Sequence, residues 1–243
     1  MIYSKKTIEM TIGHKFIEAE FIERPNRFLT KVRLDGNIIY SHLPDPGRLK
    51  ELLIPGARLL LKEETGVNRK TRFSTQAVYK RDTLISLNTL FPNRFVSYLL
   101  KNRSLEFLKE WELQKQEVNY GNSRFDFQLK KDDKIMILEV KSVTLVEKEI
   151  AKFPDAVTKR GRKHIQHLSE IATENLEVMV LFVVQRSDAE CFQPQWERDP
   201  KFSNALFKAW KTGLQVRVIK MEMTTNAIYY LGEIPYQLNQ KSS

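Results

Sequence analysis

The stretch Arg124-Phe-Asp-Phe-Gln-Leu-Lys-Lys-Asp-Asp-Lys-Ile-Met-Ile-Leu-Glu-Val-Lys141 reads as two strands joined by a tight turn. Phe125, Phe127 and Leu129 alternate with polar residues, which sends the three apolar side chains to one face and Asp126 to the other, between Arg124 and Gln128. In the second strand an apolar run ends on Glu139-Val-Lys141, so Glu139 and Lys141 share a face while Glu139 sits in a segment expected to be buried. An ionised carboxylate there is costly unless it is paired or bound to a metal. With Asp132-Asp133 as a two-residue turn, Lys131 pairs with Lys134; counting back, Asp126 meets Glu139 across the ladder and Arg124 meets Lys141. Directly opposed Cβ atoms lie about 4.5–5.5 Å apart. Two carboxylates so close repel each other. A divalent cation, Mg2+ or Mn2+, removes that repulsion and leaves positions for water and a phosphate oxygen, while Lys141 orients the water or offsets developing charge.

The arrangement Asp126, Glu139, Lys141 resembles the Asp…Glu-x-Lys pattern of restriction-endonuclease-like nucleases. From spacing alone, a cross-strand ion pair between Asp126 or Glu139 and Lys141 or Arg124 accounts for the same residues. Glu106 and Glu117 are the candidates for a third acidic metal ligand, and Glu117 is taken with Asp126 and Glu139 as the ligand set. A helix is expected over 155–172, with Ile165, Leu168 and Ile171 or Ala172 as its core stripe and Arg160, Lys163 and His167 on another face that can meet phosphate. A solvated basic face explains that pattern equally well. His164 and His167 read as polar neighbours, and with one cysteine they give no zinc-site spacing.

Upstream, short alternating segments at 15–21, 28–34, 38–42, 57–61 and 74–80 predict a five-stranded barrel of the oligonucleotide-binding (OB) type, with a short helix at 49–53. From Leu90 the spacing of Phe95, Leu99, Leu105 and Leu108 turns helical. Strands at 112–118, 124–129 and 134–141 follow, then the 155–172 helix, a strand at 178–184, a helix at 203–212 and strands at 214–219 and 227–231. The expected architecture is α+β or α/β: an OB-like barrel over 1–88, then a mixed sheet flanked by helices over 89–243.

At 243 residues, with 42% hydrophobic and 29% charged, the chain can bury a core and is not disordered. Its +10 charge suits a polyanionic partner or solubility, and the first hundred residues hold 17 basic against 10 acidic side chains. Residues 66–81 carry five positive charges and no negative one, with Phe73 and Tyr79 interleaved; Arg69, Lys70 and Arg72 are candidate nucleic-acid contacts. A strand with a basic outer face fits the same residues. Arg24, Arg27 and Arg48 sit in turns fixed by prolines and are further phosphate candidates, as is Arg124, although turn structure alone explains the first three. No motif reads base edges, so binding to DNA is expected to be mainly independent of sequence. The single Cys191 fits a reducing compartment, so the cytoplasm is expected. The apolar run 178–184 is too short to cross a bilayer, which takes about twenty residues, and Met1–Lys6 has no signal-peptide apolar stretch behind it.

Phe21-Ile-Glu-Arg-Pro-Asn-Arg-Phe28, His42-Leu-Pro-Asp-Pro-Gly-Arg-Leu49, Ser86-Leu-Asn-Thr89, Pro92-Asn-Arg94, Ser123-Arg-Phe-Asp-Phe127, Glu139-Val-Lys-Ser-Val-Thr144, Phe153-Pro-Asp-Ala-Val-Thr158 and Val183-Val-Gln-Arg186 together resemble the sugar fermentation stimulation protein family across nearly the whole chain. One mild departure is Arg160-Gly-Arg-Lys-His-Ile165, where the family usually has leucine after Lys-His. The resemblance implies an OB-like barrel, a nuclease-like domain, DNA binding and a regulatory link to maltose or other sugar metabolism. It also maps the nuclease-type residues onto Asp126, Glu139 and Lys141. The family name reports a phenotype rather than a reaction. The expected function is a metal-dependent DNA phosphodiesterase; its rivals are a transcriptional regulator that holds DNA on a degenerate nuclease fold and a structural protein whose basic face serves only solubility.

Overall fold

The computed structural model describes residues 8–66 and 69–240. The Met1–Lys6 stretch and positions 67 and 68 of the basic segment lie outside the described residues. After β1 (Glu9–Thr11) come β2 (Ile17–Asn26), β3 (Leu29–Leu34), β4 (Asn37–His42), β5 (Arg58–Glu63) and β6 (Phe73–Lys80). They pair in the order β4-β3-β2-β5-β6, and a short parallel contact of β4 with β6 closes the barrel. Closure removes the exposed edges that an open five-stranded sheet would leave. Alternation fills the interior with Phe21, Val32, Leu59, Leu61, Phe73 and Val78.

β7 (Thr83–Ser86) folds back on β6. Then follow α1 (Phe91–Lys101), β8 (Glu112–Tyr120), β9 (Ser123–Lys131), β10 (Lys134–Val143), β11 (Leu145–Glu147), β12 (Ile150–Phe153), α2 (Lys159–Ile171), β13 (Leu176–Val184), β14 (Cys191–Pro194), α3 (Pro200–Lys211), β15 (Gln215–Met223) and β16 (Ala227–Glu233). The main sheet runs β7-β15-β13-β10-β9-β8, so the barrel and the second unit share one continuous ladder through β7. β10, β13 and β15 are parallel and linked through α2 and α3, whereas β8, β9 and β10 form antiparallel hairpins. The sheet is therefore mixed, as expected. Covered on both faces, β13 is apolar throughout its second half: Met179, Leu181 and Val183 face the α1 layer, while Val178, Val180, Phe182 and Val184 face α2 and α3.

The helices start on local signals. Pro92 opens α1, Thr158 Oγ1 accepts from Gly161 N at 3.0 Å at the head of α2, and Asp199 Oδ1 accepts from Phe202 N at 3.0 Å at the head of α3. A Cβ at Gly161 would come within 2.8 Å of the Thr158 side chain, so any other residue there would force that capping side chain to shift.

Several expected elements differ. The 49–53 helix is a single turn, with Leu52 N and Leu53 N both donating to Leu49 O. Leu49 has φ +50° and gives its N–H to Asp155 Oδ2 at 2.8 Å, a tertiary contact that draws the backbone away from helix geometry. The helix expected from 155 begins at Lys159, because Asp155 is occupied by Leu49 and by Arg198, 3.0 Å away. The helical spacing from Phe95 to Leu108 divides between α1 and a separate 3-10 turn at Glu106–Leu108. β1, β7 and the small β11-β12-β14 sheet had no distinct signal in the sequence.

Arg24, read from the sequence as a phosphate contact, is a structural clamp. Its Nη1 donates to Gly47 O at 2.6 Å and Arg48 O at 2.9 Å, and its Nη2 donates to Arg27 O at 2.7 Å and Asp45 O at 3.0 Å. Four carbonyls from two turns converge on one guanidinium, which fixes the 45–48 loop against the end of β2. Arg24→Ala is expected to lower unfolding free energy by about 2–4 kcal/mol, because hydrogen bonds to a charged group are worth more than neutral ones. Arg48→Ala, at an exposed position, is expected to stay within about 0.5 kcal/mol. Urea midpoints of the two variants test the contrast.

Candidate active site

The β9–β10 ladder follows the expected register from Lys131 with Lys134 to Phe127 with Leu138, then stops one pair short of Asp126 and Glu139. There the Asp126 carboxylate replaces a backbone partner: Oδ2 accepts from Val140 N at 2.7 Å. Its other oxygen accepts from Asn93 Nδ2 of α1 at 2.5 Å. The single-face expectation for Phe125, Phe127 and Leu129 fails at this point. Phe127 and Leu129 join the α1 layer, but Phe125 lies on the α2 side, with its ring 5.5 Å from both His164 and His167. β9 leaves its partner where Asp126 takes over the hydrogen bond, and alternation breaks with it.

Glu139 is 4% exposed. Its Oε1 accepts from Lys141 Nζ and from His164 Nδ1, the latter at 2.6 Å. The carboxylate partner fixes the His164 proton on Nδ1. Glu139 Oε2 is buried with no hydrogen-bond partner among the described residues. Burial pushes the Glu139 carboxyl up, but the Lys141 ammonium and His164 outweigh it and hold the group below its ordinary value. Asp126 goes the other way: burial, reinforced by the Glu139 charge, raises it to about 6 against the Val140 N–H, Lys141 and Asn93, which favour the ionised form. Two carboxyls with opposite shifts, one carrying an orphaned inward oxygen, are a donor set that a divalent cation would complete.

Asp126, Glu139 and Lys141 open into one cleft of about 510 Å³ between the barrel's 45–47 loop and the mixed sheet. Asn93, Arg27 and Arg160 also line it. The structure brings these groups together. It does not bring Glu117 or Glu106. Glu117 is exposed on β8 with φ +56° and lies 3.7 Å from Arg124, and Glu106 pairs with Lys109 at 3.3 Å. Among the described residues no three His, Cys, Asp or Glu side chains cluster as a metal site. Two carboxylates are enough for Mg2+, which keeps several waters and takes substrate phosphate oxygens.

The basic candidates divide similarly. Arg27, Arg48, Lys70 and Arg160 make no ion pair among the described residues, while Arg72 is bound to Glu63 at 2.6 Å and Arg69 lies 3.8 Å from Glu64. Lys163 donates to Asn122 O at 3.1 Å, outside the cleft. Phe73 is a barrel core residue and Tyr79 lies under the Arg58 guanidinium, 4.4 Å away, so neither offers a free ring face. Among the described residues the exposed rings are Phe28 and Tyr40, which sequence reasoning missed. Outward alternation in 38–42 was the available signal for Tyr40. His164 was also missed as a partner of Glu139, because nothing in a linear sequence links helix position 164 to strand position 139.

Residues 90–227 match the family model described as the sugar fermentation stimulation protein RE domain, and residues 22–87 match the SfsA N-terminal OB domain. The chain belongs to the sugar fermentation stimulation protein family. A sugar fermentation stimulation protein homolog of Clostridium kluyveri is 41% identical over 229 residues, covering 93% of this chain and 100% of that protein. The homolog of Clostridium botulinum strain Alaska E43 is 42% identical, covering 94% and 96%. Among solved structures, SfsA of Pyrococcus furiosus in complex with Ca2+ superposes with a TM-score of 0.86 at 26% identity, over 94% of this chain and 98% of that one. The family's two parts are thus a closed five-stranded barrel and a mixed sheet with helices. No helix among the described residues is long and apolar enough to cross a membrane.

Proposed function

We propose that this member of the sugar fermentation stimulation protein family binds DNA and hydrolyses its phosphodiester bonds at the Asp126–Glu139–Lys141 cleft. The observation that carries the reading is the buried, unpartnered Oε2 of Glu139 beside a second carboxyl, Asp126, whose pKa burial and then the Glu139 charge have raised. That donor set fits a divalent cation, Mg2+ or Mn2+, and the Ca2+ bound by the Pyrococcus furiosus relative supports the same reading. Asp126 and Glu139 would hold the ion, which when bound supplies Lewis-acid polarisation of a phosphoryl oxygen and acidification of water.

The chain's own groups do the rest. Asn93 and the Val140 N–H fix the Asp126 carboxylate, and His164 fixes Glu139, so both are preorganised before substrate arrives. Lys141 balances the carboxylates in the resting site and stands ready to orient a water or to offset charge at the transferring phosphorus. Arg27 and Arg160, at the rim of the cleft and outside any described ion pair, would hold the flanking phosphates. A role in controlling sugar genes, suggested by the family name, would act through this DNA contact.

With Mg2+ or Mn2+ added, wild-type protein is expected to nick or degrade DNA, and chelation is expected to stop it. Lys141→Ala is expected to lower the cleavage rate by about 10²-fold while DNA binding without metal stays within about threefold. Intact DNA across a full metal titration, with binding preserved, would reject hydrolysis and leave a DNA-holding regulator.

A further inference from the structure

The described exposed large apolar side chains include two aromatic rings, Phe28 and Tyr40, each 49% exposed, and both line one groove on the barrel with His42, Arg69 and Lys70. The barrel core does not use them, since its interior is filled by other residues. Phe28 sits in the turn between β2 and β3, Tyr40 on β4, and Arg69 and Lys70 in the connection from β5 to β6. Two half-exposed rings, Phe28 with the Arg27 guanidinium over it, are thus set beside cationic side chains contributed by a different loop. Half-exposed rings suit an occupant with flat apolar faces, and Lys70, which makes no ion pair among the described residues, favours one that also carries negative charge.

Neighbouring residues link the groove to the carboxylate cleft, since Phe28 lines the first and Arg27 the second. The guanidinium of Arg27 lies 5.4 Å from the centroid of the Phe28 ring, and Arg27 also lines the cleft that holds Asp126 and Glu139. A chain resting on the rings therefore has a cationic passage toward the two carboxylates.

We infer that Phe28 and Tyr40 are a stacking platform for an unpaired DNA strand, and that the substrate of the cleft carries a single-stranded segment. The inference rests on the DNA-hydrolysis reading for the destination of the strand, but the platform itself does not depend on hydrolysis. Base faces are available to the rings only where bases are unpaired. A duplex offers this surface its phosphates and leaves the rings unused. Lys70 and Arg69 follow the backbone, and Arg27 guides it from the last ring into the cleft.

Binding of a fluorescent oligo-dT of about 20 nucleotides and of a duplex of equal length, measured without metal on the full chain, tests this. Wild type is expected to prefer the single strand. Phe28→Ala with Tyr40→Ala is expected to weaken single-strand binding by about 10–100-fold and duplex binding by no more than about threefold, since stacking is worth ~1–3 kcal/mol per base. Tyr40→Phe, which keeps the ring, is expected to bind like wild type. Both rings are solvent-exposed, and unchanged thermal midpoints would verify folding of the variants. Equal single-strand affinity of wild type and double variant, or an equal loss on duplex, overturns the platform. If wild type fails to cleave while the double variant still loses single-strand binding, hydrolysis falls and the platform stands.

Discussion

Glu139→Gln is expected to reduce metal-dependent DNA cleavage by on the order of 10²–10³-fold or more and to abolish stabilisation of the protein by Mn2+. Glu139 is the most buried acidic group of the cleft, and its Oε2 has no hydrogen-bond partner among the described residues. The amide keeps the size and an acceptor for His164 and Lys141, but it carries no charge to hold a cation. The measurement pairs a cleavage time course with the thermal midpoint at increasing Mn2+. A ligand that binds only the folded state raises stability by about 2.7 kcal/mol at a hundred times its dissociation constant. Loss of that rise in the variant would tie metal and catalysis to one carboxylate. A variant that cleaves at the wild-type rate would remove Glu139 from the chemistry.

Asp126→Asn is expected to make the metal-free protein more stable at pH 8 while inactivating it. The Asp126 carboxyl is raised from 3.8 to about 6 by burial and by Glu139. Below about pH 4 it is protonated in both the folded and the unfolded chain and makes no difference to stability. As pH rises through 4 to 6 the unfolded chain ionises first, so the folded state loses stability, by roughly 3 kcal/mol once the group is ionised in both. Asparagine removes this loss and can keep both contacts: its Oδ1 accepts from Val140 N, and its Nδ2 donates to Asn93 after that side-chain amide turns over. The expected gain is about 1–3 kcal/mol at pH 8, vanishing near pH 4, read from urea midpoints across that range. In the wild type, Mn2+ and the proton compete for the same carboxylate, so the Mn2+-induced rise in thermal midpoint is expected to shrink as pH falls below about 6. A variant no more stable than wild type at pH 8 would contradict the cost of burying an ionised Asp126 beside Glu139.

The barrel strands were legible because each is short, alternating and bounded by turn residues, and the observed β3, β4 and β6 begin within one residue of their expected starts. The hairpin register was legible too, since Asp132-Asp133 forces a two-residue turn. Leu49–Leu53 was not, because its helical spacing is overruled by Asp155, 106 residues away. Glu117 had acidic chemistry and the right distance along the chain, yet it lies on the exposed edge strand and interacts with Arg124. Arg24 had the charge of a phosphate ligand, yet four carbonyls of neighbouring turns surround it.

The sequence by itself determined the two-part architecture and brought Asp126, Glu139 and Lys141 to the end of one hairpin, because side-chain period and turn length are local properties of the chain. Only the tertiary structure decided that Asn93 and His164 hold the carboxyls in place, that Glu117 stays outside, and that Phe28 and Tyr40 share a groove with Arg69 and Lys70. Those contacts join residues many positions apart, and the ion pairs, burial and desolvation that set their chemistry exist only once distant segments have packed together.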